Sequence, residues 1–258
     1  MTTAGVPNLG TRLIGRHLLW YRSLPSTNDL ALRLTEIPVP EGTVVLADEQ
    51  TAGRGRLGRR WASPRGGVWL SVILRPELPA GEVPLIGFAG ASATAGAVRE
   101  VTHLAARVKW PNDVLVDGKK TAGILAEAAP SLGWIVVGIG INANIPADAL
   151  PPDTVHPATS LEAALGHAVD RKALIREMLR ELERGYDLLK SRGARAALRQ
   201  WREMADTLGR QVRVETPGGI LEGIAQDIDE TGALLVRTEG GRVRKVLAGD
   251  LRVRTAVP

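Results

Sequence analysis

Lys109-Trp110-Pro111-Asn112-Asp113-Val114-Leu115-Val116-Asp117-Gly118-Lys119-Lys120-Thr121 is the stretch on which the fold turns. Residues 114–116 and 121–127 are apolar enough to read as strands, and Asp117-Gly118 lies between them. Asp-Gly favours the two-residue turn whose backbone twist matches that of the flanking strands. This part of the sheet is therefore expected to be antiparallel. Residues 107–110 and 134–141 read as neighbouring strands. Lysine is concentrated here, with three of the chain's six lysines between positions 109 and 120.

Upstream, residues 43–47 read as a buried strand and 69–74 as another, stopped by Pro76. Residues 85–99, rich in alanine and glycine, predict a helix packed closely on a sheet. Ser26 followed by Asp29 resembles a helix N-cap with an acidic first turn. Downstream, 143–157 is a proline-spotted loop. Asp170 then caps an amphipathic helix carrying Leu174, Ile175, Met178, Leu179, Leu182 and Tyr186 on one side. A shorter helix follows over 194–204. After Leu208 the texture changes to short β-type runs at 211–215, 220–228, 233–237 and 242–247, separated by glycine-rich turns. That spacing predicts a small β-barrel. The expected fold is α+β: a mixed, largely antiparallel sheet with packed helices over 1–207, then a small β-barrel over 208–258.

At 258 residues the chain can bury a substantial core. Its net charge of +5 is spread along the chain, which suits anionic ligands but is too diffuse to argue for nucleic acid. The absence of cysteine excludes disulfides, zinc–thiolate sites and enzyme-bound thioesters. An acyl group activated here would travel as a phosphate-type anhydride or a non-sulfur ester. No apolar run approaches the ~20 residues of a membrane span, and residues 1–10 lack a signal-peptide pattern, so a cytoplasmic location is expected.

Gly53-Arg54-Gly55-Arg56-Leu57-Gly58-Arg59-Arg60-Trp61 sets four arginines among three glycines. Such a loop presents backbone N–H groups and guanidinium forks together, as a polyphosphate or acyl phosphate requires. It matches G-x-G-x-x-G literally. That fingerprint needs a helix directly after it, whereas Trp61, Pro64, Gly66 and Gly67 follow. No Gly-Lys-Ser/Thr makes it a P-loop. His17, His103, His156 and His167 have no metal-ligand spacing, and no Gly-x-Ser-x-Gly elbow occurs.

Taken in order, Ser26-Thr27-Asn28, Gln50-Thr51-Ala52-Gly53 through Arg59, Lys109-Trp110-Pro111-Asn112-Asp113, Gly118-Lys119-Lys120, Gly123-Ile124-Leu125-Ala126-Glu127 and Gly138-Ile139-Gly140-Ile141-Asn142 closely resemble the biotin–protein ligase family. The resemblance runs from about 26 to 144, and the β-rich tail is similar to that family's SH3-like C-terminal domain. It implies a class II synthetase-like catalytic domain that forms biotinyl-5′-AMP from biotin and ATP with magnesium. The adenylate would then acylate one lysine of a biotin carboxyl carrier protein, a subunit of acetyl-CoA carboxylase or a related enzyme.

The resemblance also implies roles for residues. Ser26, Thr27, Asn28 and Gln50 would read the ureido ring. Gly53, Arg54, Gly55 and Arg56 would cover biotin and its adenylate, and Lys120 would meet the biotin carboxylate and the α-phosphate. Arg59, Trp61, Asn112 and Asn142 would complete the nucleotide side. Asp113 is the candidate for holding magnesium and for orienting or receiving the acceptor amine's proton. Arg54, Lys120 and Asp113 are thus the expected catalytic set. The Ser26 motif begins too near Met1 for the family's winged-helix repressor domain, so no DNA partner is expected. A lipoate–protein ligase is the competing enzyme reading, although it usually lacks the arginine–glycine loop. A nucleic-acid-binding module is disfavoured by one Phe and two Tyr in the whole chain.

Overall fold

The computed structural model describes residues 9–131, 133–150 and 157–253. Residues 1–8, Leu132, His156 with the rest of 151–156, and 254–258 lie outside the described residues. Seven strands form the larger sheet: β1 (Leu18–Tyr21), β2 (Val44–Ala47), β3 (Val68–Leu74), β4 (Arg107–Lys109), β5 (Asp113–Val116), β6 (Lys119–Ala128) and β7 (Ile135–Ile141). Their spatial order is β1-β2-β3-β7-β6-β5-β4. β1 runs parallel to β2, and the other pairings are antiparallel. The β5–β6 turn is the one expected, with Asp117 at φ 50° and Gly118 at φ 72°. Two positive φ values are what a type I′ turn demands.

β3 is buried along its length because helices cover both faces of the sheet. On one face lies α1 (Thr27–Leu34), where Ala31 meets Val45, Ile73 and Val136. On the other lies α2 (Leu85–Thr102), backed by α4 (Arg171–Met204), and there Val44, Val72 and Val137 join the main core. Alternate residues of β2, β3 and β7 thus serve opposite cores, as strand periodicity requires. A Cβ at Gly90 of α2 would sit 3.3 Å from Ile124 of β6, so glycine there sets the close helix–sheet approach. A short helix, α3 (Leu161–Leu165), follows the loop after β7.

Asp170 caps α4 by accepting from the N–H groups of Lys172 and Ala173. Gly193 at φ 73°, ψ −176° breaks the helix, so the two helical segments expected from sequence meet at this kink. Buried Glu183 of α4 accepts the backbone N–H groups of Arg12, Leu13 and Ile14 at 2.7–2.8 Å. Burial raises the Glu183 pKa, but these donors and the Arg12 charge outweigh it and hold the group below its ordinary value. A depressed pKa stabilises the fold above the unfolded carboxyl value and loses that contribution as pH falls through the folded one. Charge-assisted bonds contribute about 1.5–3 kcal/mol each, partly shared at one carboxylate. Glu183→Ala is therefore expected to cost about 3 kcal/mol at pH 7 in denaturant titrations, with the gap from the parent shrinking below pH ~4. An equal gap at pH 3 and pH 7 would contradict this.

The smaller sheet comprises β8 (Gln211–Thr216), β9 (Gly219–Ile228), β10 (Leu234–Arg237), β11 (Val243–Val246) and β12 (Asp250–Val253), ordered β11-β10-β9-β8-β12 and wholly antiparallel. Where a barrel is expected from the spacing, the described strands form an open sheet with β11 and β12 at its edges. β11 is exposed at three of its four positions, and among the described residues it pairs only with β10. The sheet docks through Trp110, whose Nε1 donates to the Gly232 carbonyl at 3.0 Å. The Phe88 ring lies so close to Gly232 that a Cβ there would be 2.6 Å from it, and Phe88 packs edge-on against Trp201. Among the described residues, no helix is long and apolar enough to cross a membrane.

Candidate active site

The sheet face that carries α1 is open beyond the end of that helix, and there the strands present glycines. Registers β4–β5–β6–β7 place Lys109, Asp113, Gly123 and Gly140 in one transverse row. Gly138 lies in the next row of that face, paired with Leu125 and with Ser71. A Cβ at Gly138 would stand 2.2 Å from Asn28 Oδ1, one at Gly140 2.6 Å from Trp61 Nε1, and one at Gly123 3.1 Å from the Trp61 ring. The glycines of Gly138-Ile139-Gly140 and Gly123 thus form a lowered floor on which Asn28 and Trp61 lie. Above it is a cavity of about 300 Å³, within the range for small-molecule sites.

The arginine–glycine loop is one wall. It is a short hairpin: Gln50 bridges Ser63, Arg54 bridges Arg60, and the Trp61 N–H donates to the Gly53 carbonyl at 2.8 Å. Gly53 leaves no room for a side chain, since its Cβ would be 2.5 Å from the Trp61 carbonyl oxygen. At the tip Leu57 takes φ 57° and is 74% exposed. Trp61 anchors the loop, with its ring over the floor and Lys120 Nζ 5.0 Å from its centroid.

The polar end is built from α1 and its neighbours. Ser26 caps the helix by accepting from the Asp29 N–H at 3.3 Å. Gln50 Oε1 accepts from the Thr27 N–H at 2.8 Å and from its hydroxyl at 3.0 Å, while Gln50 Nε2 donates to Ser63. Asn28 Nδ2 donates to Glu127 Oε2 at 2.8 Å and to the Leu125 carbonyl at 3.3 Å, and Asn28 Oδ1 accepts from Ser71.

The cations converge, but they are not equally placed. Arg54 spans two carboxylates, with Nε to Asp29 at 2.7 Å and a bidentate pair to Glu127 at 2.9 Å. The Glu127 hydrogen bonds raise its pKa most, so Arg54 carries its charge while being held as a strut. Arg56 donates to Asn112 Oδ1 at 3.2 Å, and Asn112 Nδ2 in turn donates to the Ile124 carbonyl. Burial pulls the Arg56 pKa down against the charges of Asp113 and Asp250. Lys120 Nζ lies 2.5 Å from Asp113 Oδ1. Arg59 pairs with Asp250, so the smaller sheet meets the loop at the cavity, where Gly249, Asp250 and Leu251 also contribute to the wall. Asn142 also lines the cavity, with its amide donated to the Thr159 carbonyl.

Every site residue expected from sequence except Gly53 lines this cavity, and Gly53 sits at the base of its loop. Arg54 and Lys120, expected to act together, share it. Sequence reasoning passed over Lys109, Asp250, Ser71 and Glu127. Lys109 stood inside a quoted motif, yet only the structure shows it buried among charges. Burial takes its pKa down to about 8, with Asp113 opposing the fall and Lys120 reinforcing it. The cavity therefore loses a positive charge above about pH 8. Among the described residues, no three His, Cys, Asp or Glu side chains cluster to hold a metal, and Asp113 already faces an ammonium.

Residues 20–144 match the model of the Biotin/lipoate A/B protein ligase family, and 207–252 match that of the Biotin protein ligase C terminal domain. The chain is 37% identical over 249 residues to the bifunctional ligase/repressor BirA of Bacillus subtilis, covering 95% of this chain and 76% of that one. It is 40% identical over 238 residues to the biotin–[acetyl-CoA-carboxylase] ligase of Mycobacterium tuberculosis, covering 88% and 85%. The solved structure of the biotin protein ligase of Aquifex aeolicus in complex with biotin and ATP superposes with a TM-score of 0.81 at 30% identity, covering 93% of this chain and all of that one.

Proposed function

The chain belongs to the biotin–protein ligase family, and on that basis we propose that it joins biotin to AMP in this cavity and passes the acyl group to a lysine of a carrier protein. Biotin and ATP are the substrates, in keeping with the relative solved with both. The observation that carries the reading is the shared cavity. Hydrogen-bonding Ser26, Thr27 and Gln50, cationic Arg56 and Lys120, and the amides Asn112 and Asn142 all line it.

In the first step a biotin carboxylate oxygen attacks the α-phosphorus of ATP, and the bond to the pyrophosphate oxygen breaks. Two anions are brought together, so fixed cations aimed at the reacting oxygens lower the barrier. Lys120 and Arg56 supply that charge, while Arg54 holds the loop that covers the mixed anhydride and keeps water from it. Trp61 gives the adenylate an apolar floor, and Arg59, through Asp250, holds the nucleotide side shut. In the second step the acceptor ε-amine attacks the acyl carbon and AMP leaves. Asp113, beside Lys120, receives the amine proton. Magnesium bound with ATP would neutralise phosphate charge, and Asp113 is the cavity carboxylate that would help to hold it.

We take the catalytic part to be residues 1–207 and the SH3-like part 208–258. The acceptor is the biotin carboxyl carrier subunit of an acetyl-CoA carboxylase or a related carboxylase. Incubation with biotin, ATP, magnesium and an isolated carrier domain should add one biotinyl group to the carrier, read by mass. An unchanged carrier mass together with no biotin-dependent ATP–pyrophosphate exchange would overturn the reading.

A further inference from the structure

Glu127 sits where the ring-facing residues and the arginine–glycine loop meet. Its Oε2 accepts from Asn28 Nδ2 at 2.8 Å and from Arg54 at 2.9 Å, and its Oε1 accepts a second Arg54 N–H at 2.9 Å. A carboxylate only accepts, so the Asn28 amide must turn its NH₂ toward Glu127. That turns Oδ1 toward Ser71, which donates to it at 2.5 Å. Ser71 Oγ also lies 2.8 Å from the Thr27 hydroxyl, but its one proton is committed to Asn28. One charge at the sheet's end therefore sets the direction of a hydrogen-bond chain from Glu127 through Asn28 to Ser71. The same carboxylate ties down the loop.

We propose that Glu127 is a positioning residue that orients the residues facing the ureido end and latches the loop over it, so that ring recognition and loop closure are coupled. The proposal rests on the ligase reading of this cavity and goes beyond it in naming what organises the ring end. Asn28, with both ends of its amide engaged by protein, transmits this orientation.

Glu127→Gln tests it with little change of shape. An amide cannot accept from both Asn28 and Arg54 without turning its own NH₂ toward one of them. In biotin-dependent ATP–pyrophosphate exchange, the KM for biotin should rise at least tenfold while the KM for ATP stays within twofold. Saturating biotin and ATP should also fail to shield the arginines between 54 and 60 from trypsin. Ser71→Ala cuts the chain without touching the latch, so it should raise the biotin KM several-fold yet retain the protection. Wild-type biotin KM and protection in Glu127→Gln would overturn the proposal, as would an equal rise of both KM values or loss of protection in Ser71→Ala. Absence of biotin-dependent exchange in the parent protein would instead strike the ligase reading itself.

Discussion

Lys120→Met should lower biotin-dependent ATP–pyrophosphate exchange by about 10²–10³-fold, the usual cost of removing one fixed donor from a developing charge. Lys120 has the geometry for that effect. Its ammonium is held 2.5 Å from Asp113 and 5.0 Å from the Trp61 centroid, so it is oriented before any ligand enters. Its removal leaves the buried Asp113 carboxylate without that partner, which destabilises a protein independently of catalysis. The double variant Lys120→Met/Asp113→Asn separates the two effects. It should regain thermal stability relative to Lys120→Met while remaining as impaired in exchange. Recovery of exchange in the double variant would mean that Lys120 merely neutralises Asp113. Exchange within threefold of the parent in the single variant would remove Lys120 from the adenylation step.

Gly140→Val is the second change with a large expected effect. Its Cβ would stand 2.6 Å from Trp61 Nε1, and the γ-methyls reach further into the same space. The indole ring must lift from the floor, which releases the C-terminal end of the loop and withdraws the ring from Lys120. Overpacking of this kind typically costs about 1–3 kcal/mol. Here the displaced group borders a cavity, so the loss should fall mainly on ligand binding. Biotin affinity by calorimetry should drop by about 10–100-fold, since 1.4 kcal/mol is a factor of ten. Tryptophan emission should shift to the red as Trp61 meets water, while the melting temperature moves little. An unshifted emission and unchanged affinity would show that Trp61 does not rest on this floor.

Most of the larger sheet was legible because its signals are local. Asp117-Gly118 specifies a turn by backbone sterics, Ser26 and Asp170 cap helices through their own side chains, and Gly193 ends a helical segment where a positive φ is needed. β1 and β12 were missed for the opposite reason. Each has four residues and no stretch that demands a strand by itself, and each becomes one only by pairing with a distant partner, β2 and β8 respectively. The barrel expected for the tail became an open sheet because closure depends on whether edge strands meet in space, which turn spacing does not encode.

At the site, the motifs announced themselves by composition: arginine among glycines, and lysine where lysine is rare. Composition could not say how each charge is spent. Arg54 and Lys120 read alike as cations for an anionic ligand, yet Arg54 is held between Asp29 and Glu127, whereas Lys120 faces Asp113 and the Trp61 ring. The sequence by itself determined the strands and helices with strong local signals, the family and the inventory of charges, because these rest on residue type and near neighbours. Tertiary structure alone decided which glycines form the floor, that Glu127 accepts from both Asn28 and Arg54, and that Asp250 of the smaller sheet reaches the loop through Arg59. Hydrogen bonds and steric contacts act over a few ångströms, and 191 positions separate Arg59 from Asp250 until the chain has folded.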